Sequence, residues 1–228
     1  MSGYYSKHLS GARLQKVYDL ASPRIRQYLR AEIDHVLEAV SGMNLVLELG
    51  CGYGRVMKEV APHVRRVVGA DVSGSSLRYA VKFLDDVSNC DLVCTDASRT
   101  GLRANSFDAV ICIQNGISAF GVGHSTLVAE AVRLARPGGR VLFSSYSPGI
   151  WEARLDWFRA QSAAGLVGEL DETRCRAGTI ICKDGFQSSF VSGDEFSCLF
   201  RSIDQPPRIR EIDGSSIFAE ISKKPKED

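Results

Sequence analysis

The segment Glu48-Leu49-Gly50-Cys51-Gly52-Tyr53-Gly54-Arg55 constrains this chain more than any other. It continues an apolar run, Leu45-Val46-Leu47, and precedes Val56, Met57 and Val60 at helical spacing. A buried strand, a tight glycine turn and a helix follow from that order. Glycines let the backbone turn sharply and let a ligand approach it closely. The helix behind them offers free backbone N–H groups. A dinucleotide loop of the GxGxxG kind needs glycine at position 55, where this chain has Arg55. A phosphate-binding P-loop needs Gly-Lys-Ser/Thr, which is absent. The loop therefore suits a ligand other than a pyrophosphate.

The same alternation repeats along the chain. Before the loop, Ile25, Tyr28, Leu29, Ile33, Val36, Leu37 and Val40 recur at helical spacing, with Ser22 as N-cap, Pro23 in the first turn and Ser41-Gly42 as the stop. Residues 66–70 read as a strand, and Leu77, Ala80, Val81 and Leu84 as a helical stripe. Strands follow at 90–95 and 109–113, then a helical stripe of Leu127, Ala131, Leu134 and Ala135, then a strand at 141–143. Strands alternating with helices in this way predict a parallel sheet covered on both faces.

The last third differs. Residues 151–164 are amphipathic and helical, and short strands at 179–182 and 187–191 flank the hairpin signal Asp184-Gly185. A short helix is expected at 194–200, and a second hairpin at 209–212 and 217–221 around Asp213-Gly214. Without a linker or an internal repeat, residues 1–228 read as one domain with an insertion.

Composition excludes several classes. Hydrophobic residues make up 44% of the 228, enough for a core, so disorder of the whole chain is excluded. The net charge of +1 and the lack of a basic stripe argue against nucleic acid as partner. No run of about 18 apolar residues exists to cross a bilayer, and the N-terminus lacks the apolar core of a signal peptide. Seven scattered cysteines without a CxxC pair, and four distant histidines, point to a reducing cytoplasm and no metal.

Two acids stand at strand ends. Asp71 comes 21 residues after Gly50, where an acid can accept from both hydroxyls of a ribose. Asp96, beside Ala97, can accept from a purine amino group. Glu48 can lie near a cationic amino-acid head. One ligand combines an ammonium, a ribose and an adenine without phosphate.

In these motifs the chain resembles the class I S-adenosylmethionine-dependent methyltransferases, in particular their small-molecule, type 11-like branch. ELGCGYGR resembles the glycine-rich first motif of that family, VVGADVS the second, CTDAS the third, FDAVICIQNGI the fourth and RPGGRVLFSSYS the segment entering the fifth strand. Together they span residues 45–147. The resemblance implies a Rossmann-like α/β fold: a seven-stranded, mostly parallel sheet with helices on both faces, a C-terminal antiparallel hairpin strand, and an extra helix and hairpin inserted after the fifth strand. It divides the chain into an N-terminal helical cap (1–42), a cofactor-binding core (43–147), a lid insertion (148–193) and a C-terminal helix and strands (194–228). It implies S-adenosylmethionine as cofactor. Glu48, Gly50, Cys51, Gly52, Gly54, Arg55, Asp71, Val72, Asp96, Ala97, Gln114 and Asn115 are the expected cofactor contacts. Taken singly, Asp71 and Asp96 also suit a helix cap or turn, and Asn115 a strand-end cap.

The expected activity is methyl transfer to a small molecule, with the protein a monomer or homodimer. A methyl on sulfonium is already activated, so alignment and exclusion of water can supply much of the rate; no general base is assigned. Related DNA and protein-amide enzymes carry Asn-Pro-Pro-Tyr where this chain has Gln114-Asn115-Gly116-Ile117, which favours a small acceptor. Candidate acceptor contacts are Tyr5, Tyr18, Tyr146, Trp151, Arg154 and Trp157. Trp151, Arg154, Trp157 and Phe158 share a helical face, read either as a gate over the methyl group or as core packing. A non-catalytic S-adenosylmethionine binder or partner subunit is the alternative function. Thiol or metalloid methylation through Cys175 or Cys182 stands against their reading as ordinary hairpin residues.

Overall fold

The structure is a computed structural model and describes residues 4, 8–176, 178–201, 203 and 205–225. Among the described residues, helices α1 (Ala12–Asp19) and α2 (Pro23–Val40) precede the sheet. The core then runs β1 (Leu45–Leu49), α3 (Arg55–Val60), β2 (Arg66–Asp71), α4 (Gly74–Phe83), β3 (Cys90–Cys94), β4 (Phe107–Cys112), α5 (His124–Leu134) and β5 (Ala135–Tyr146). Helix α6 (Trp151–Ala163) and a small hairpin, β6 (Ile180–Ile181) with β7 (Gln187–Ser188), follow. Helix α7 (Gly193–Arg201) and the hairpin β8 (Arg208–Ile212) and β9 (Ser216–Ser222) end the chain.

The seven-stranded sheet has the order β3-β2-β1-β4-β5-β9-β8. Strands β1 to β5 are parallel, and β9 runs antiparallel to both β5 and β8. The expected mixed sheet, C-terminal hairpin, and helix with hairpin after the fifth strand are all present. β1 and β4 are neighbours although β2 and β3 intervene in sequence, so the crossovers leave β1 in opposite directions. A crevice opens beyond the carboxyl ends of strands at such a switch point.

Side chains alternate faces along each strand. Leu47 and Leu49 of β1, Val110 and Cys112 of β4, and Phe143 of β5 join Leu127, Ala131, Phe196 and Phe200 on one face. Val46, Ala109, Ile111 and Leu142 join Val36, Val40, Met57, Val60 and Leu77 on the other. Burial on both faces explains why the strands read as unbroken apolar runs. A third cluster lies off the sheet, where α1, α2, α6 and the small hairpin meet through residues such as Val17, Tyr28, Trp157, Phe158 and Phe186.

Local signals hold well. The Ser22 hydroxyl caps α2 by accepting from the Ile25 N–H at 3.3 Å, with Pro23 in the first turn. Two expectations need correction. Val81, read into the buried stripe of α4, is 64% exposed, because the stripe narrows to Leu77, Ala80 and Leu84. Ala135 starts β5 instead of ending α5, since it pairs with Phe107 before a register shift. Among the described residues no helix is long and apolar enough to cross a membrane.

Candidate active site

A cavity of about 300 Å³ lies at the carboxyl ends of β1, β2 and β4, beneath α1 and α6. The loop after β1 forms its floor. The N–H groups of Gly50 and Cys51 both donate to the Ala70 carbonyl, at 2.8 and 3.1 Å, which ties the loop to β2. Gly52 has φ 55°, in the left-handed region, and a Cβ there would come within 2.9 Å of Leu14 on α1. The glycine thus lets α1 close down on the loop.

Charged side chains gather on this floor. Glu48 is 5% exposed, and its Oε2 is buried without a hydrogen-bond partner. Burial pushes its carboxyl up to about 8, against the pull of the Arg55 cation. Arg55 places its guanidinium 4.5 Å from the centre of the Tyr18 ring, and its Nε and Nη2 are buried without partners. Asp71 accepts from the Gly52 N–H at 2.8 Å and from the Ser73 N–H at 2.7 Å. Burial still raises its carboxyl above the ordinary value, so those bonds do not offset desolvation fully. Asp96 is exposed and holds Ser98, accepting from its N–H at 2.8 Å and its hydroxyl at 2.7 Å. Val72, 61% exposed, and Ala97 supply apolar lining beside these acids.

At the end of β4, Gln114 and Asn115 both have left-handed backbones, with φ 57° and 60°. Strain of this kind persists where surrounding contacts impose it. The Gln114 N–H donates to Glu32 Oε2 at 2.7 Å and to the Ser144 hydroxyl at 2.8 Å. Its side-chain Nε2 is buried without a partner. The Asn115 amide oxygen accepts from Ser145 at 2.7 Å and Ser118 at 3.1 Å, and its Nδ2 donates to the Ser189 carbonyl at 2.9 Å. Asn115 lines the cavity while its side chain ties β4 to β5 and to the segment after β7.

The expected cofactor residues therefore converge with one exception. Glu48, Gly50, Cys51, Gly52, Arg55, Asp71, Val72, Asp96, Ala97, Gln114 and Asn115 all line the cavity. Gly54 does not. It precedes α3 with φ 88°, and a Cβ on it would meet Leu84 at 2.8 Å, so its role is to start the helix against α4. Among expected acceptor residues, Tyr18, Tyr146 and Trp157 line the cavity, as does Phe158. Trp151 and Arg154 do not: Trp151 packs on the third cluster. Arg154 is 1% exposed and donates to the carbonyls of Gly178 at 2.6 Å and Ser188 at 2.8 Å. Its guanidinium lies over the Tyr146 ring at 4.1 Å, from behind the lining. Tyr5 lies outside the described residues. Neither Cys175 nor Cys182 lines the cavity.

Several lining residues carried no signal in the sequence. Phe120 comes from the turn after β4, and its ring sits 2.7 Å from where a Gly50 Cβ would stand. Leu9, Leu14 and Val17 come from the N-terminal segment and Gln161 from α6. The Trp157 indole N–H donates to the Val17 carbonyl at 2.9 Å, joining α6 to α1 above the cavity.

Comparison with known proteins agrees with this geometry. The family model described as "Methyltransferase domain" matches residues 46–139, from β1 into β5. A malonyl-[acyl-carrier protein] O-methyltransferase of Marinomonas sp. (strain MWYL1) is 30% identical over 158 residues, 64% of this chain and 56% of that protein. Chondramide synthase cmdD of Chondromyces crocatus is 27% identical over 167 residues, 69% of this chain and 4% of that protein. The chain thus spans about half of the first relative's length and a small fraction of the second's. A SAM-dependent methyltransferase from Aquifex aeolicus shares the fold with a TM-score of 0.60 at 14% identity, covering 90% of this chain and 96% of its own. Residues 46–139 thus match the methyltransferase-domain family model, and the chain shares its Rossmann-like fold with a SAM-dependent methyltransferase.

Proposed function

We propose that this chain binds S-adenosylmethionine in the cavity and transfers its methyl group to a small-molecule acceptor. One observation carries the reading. Unpartnered polar atoms of a carboxyl and a guanidinium, Glu48 Oε2 and Arg55 Nε and Nη2, converge with Asp71 over one glycine loop at the switch point of the sheet. Buried polar atoms without partners are costly, and a ligand with an ammonium, a carboxylate and a ribose would complete all of them.

Arg55 would hold the carboxylate of the amino-acid head, and Glu48 would face its positive charge. Asp71 would accept from the ribose hydroxyls while keeping its bonds to the loop. Asp96 would face the adenine amino group, with Val72 and Ala97 against the ring. The backbone of Gly50, Cys51 and Gly52 would lie under the ligand, and Gln114 would offer Nε2. Bound here, the cofactor supplies a methyl group on a positively charged sulfur, an electrophile that needs no further activation. The rest is alignment and exclusion of water, tasks suited to the closed wall of Tyr18, Tyr146, Trp157 and Phe158.

Calorimetry with S-adenosylmethionine, followed by transfer of a labelled methyl group into a metabolite extract, tests the proposal. Saturable binding with label in a small product is expected. Binding without any transfer would make the chain a binder only, and absence of binding would remove the cofactor reading.

A further inference from the structure

Gln161 on α6 is 2% exposed, lines the cavity, and has a buried Nε2 with no hydrogen-bond partner. An amide donor left in this state is unfavourable until an acceptor meets it. The wall it shares is built of uncharged side chains, Val17 and the rings of Tyr18, Tyr146, Trp157 and Phe158. The Trp157 N–H is already committed to Val17, so it has nothing to offer a ligand. The charged lining residues, Glu48, Arg55, Asp71 and Asp96, all come from the strand-end half. The cavity is thus divided into a charged floor and a neutral roof.

We infer that Gln161 anchors the methyl acceptor, and that this acceptor is an uncharged, flat, largely apolar molecule with a hydroxyl or carbonyl oxygen directed at Nε2. The inference rests on the cofactor reading, because the charged floor must be occupied for the roof to be what remains. A carboxylate or ammonium lodged against the roof would be stripped of water with no direct ion-pair partner in the wall, since the Arg154 guanidinium lies behind the Tyr146 ring and is already bonded to Gly178 and Ser188. A neutral oxygen meets the unpartnered Nε2, while the rings cover the faces of the molecule.

The probes are 2-naphthol, 2-methylnaphthalene and 2-naphthoate, titrated calorimetrically into protein saturated with S-adenosylhomocysteine. The expected result is that 2-naphthol binds at least tenfold tighter than either of the others. In Gln161→Met, which keeps length and removes the amide, its preference over 2-methylnaphthalene should shrink to threefold or less, with S-adenosylhomocysteine affinity held within threefold. Gln161→Leu repeats the comparison if the first variant fails to fold. Tightest binding of 2-naphthoate, failure of 2-naphthol to bind, or an undiminished preference in a folded Gln161 variant overturns the inference. Failure of the wild-type chain to bind S-adenosylhomocysteine would instead sink the cofactor reading beneath it.

Discussion

The backbone N–H of Gln114 donates to Oε2 of Glu32 at 2.7 Å, joining positions 82 residues apart. Glu32 belongs to α2, outside the sheet, yet it is fully buried and holds the left-handed turn that ends β4. Its other oxygen, Oε1, is buried, with the Ser216 hydroxyl beside the carboxyl. Burial pushes the Glu32 carboxyl up to about 7. A group on the N-terminal helix thus sets the backbone of a cavity residue.

Glu32→Ala should release that turn. Two consecutive non-glycine residues with positive φ cost of order 1–3 kcal/mol each and need outside support. S-adenosylmethionine affinity is expected to fall about tenfold, and stability by about 2 kcal/mol. Unchanged values for both would show that Ser144 alone suffices. Glu32→Gln isolates the charge. A buried carboxyl with a raised folded-state value holds its proton where the unfolded chain has lost it. Stability from this group is present below the ordinary glutamate range, and it declines as pH rises from about 4.5 to about 7, by up to about 1.4 kcal/mol per pH unit. Denaturant titrations at pH 5, 6, 7 and 8 should show a flatter profile for Glu32→Gln than for wild type.

Glu48 gives a linkage between binding and protons. In the free protein its carboxyl is pushed up to about 8 by burial, so it is largely protonated at pH 7. A cationic ligand beside it favours the carboxylate. Binding of S-adenosylmethionine at pH 7 should therefore release up to about one proton, and affinity should rise with pH until it levels off above about 8. Calorimetry in buffers of different ionisation enthalpy measures the release. Glu48→Gln should abolish it. A wild-type binding enthalpy that is independent of buffer would place the ligand charge elsewhere.

Asp71 carries the ribose assignment. Asp71→Ala should weaken S-adenosylmethionine at least about tenfold, since each hydrogen bond to a charged group contributes about 1.5–3 kcal/mol. Some of that loss will reflect the loop, because Asp71 also accepts from Gly52. Adenine alone, which makes no ribose contact, serves as the control. Its affinity should change much less than that of the nucleoside. Equal losses for both ligands would make Asp71 a loop brace only.

Arg154 is expected to matter for stability. Its guanidinium bonds to Gly178 and to both the carbonyl and the hydroxyl of Ser188, so it anchors the small β6–β7 hairpin to α6. Arg154→Ala leaves these acceptors without their donor. We expect a loss of at least about 2 kcal/mol and a Tm lower by roughly 5 °C or more. A Tm within 1 °C of wild type, combined with lost transfer, would return Arg154 to the acceptor site.

The sequence by itself determined the local frame. Val46, Leu47 and Leu49, the glycines after them, and Asp71 and Asp96 at successive strand ends were legible because strand period, turn chemistry and N-cap preference act over a few residues. Once the strands form one parallel sheet, those strand ends must share an edge, so eleven of the twelve expected cofactor residues meet at one cavity. Gly54 stays outside that lining because it starts a helix, and such a glycine looks in sequence like one that lines a ligand. Tertiary structure alone decided the rest. Arg154 and Trp157 share a helix, yet one turns to Ser188 and the other, across 140 residues, to Val17. Glu32 reaches Gln114, Phe120 settles against Gly50, and the Nε2 of Gln161 is enclosed without a partner. The direction a side chain takes within a helix is set by what packs against it, and packing between distant segments leaves no periodic trace in the chain.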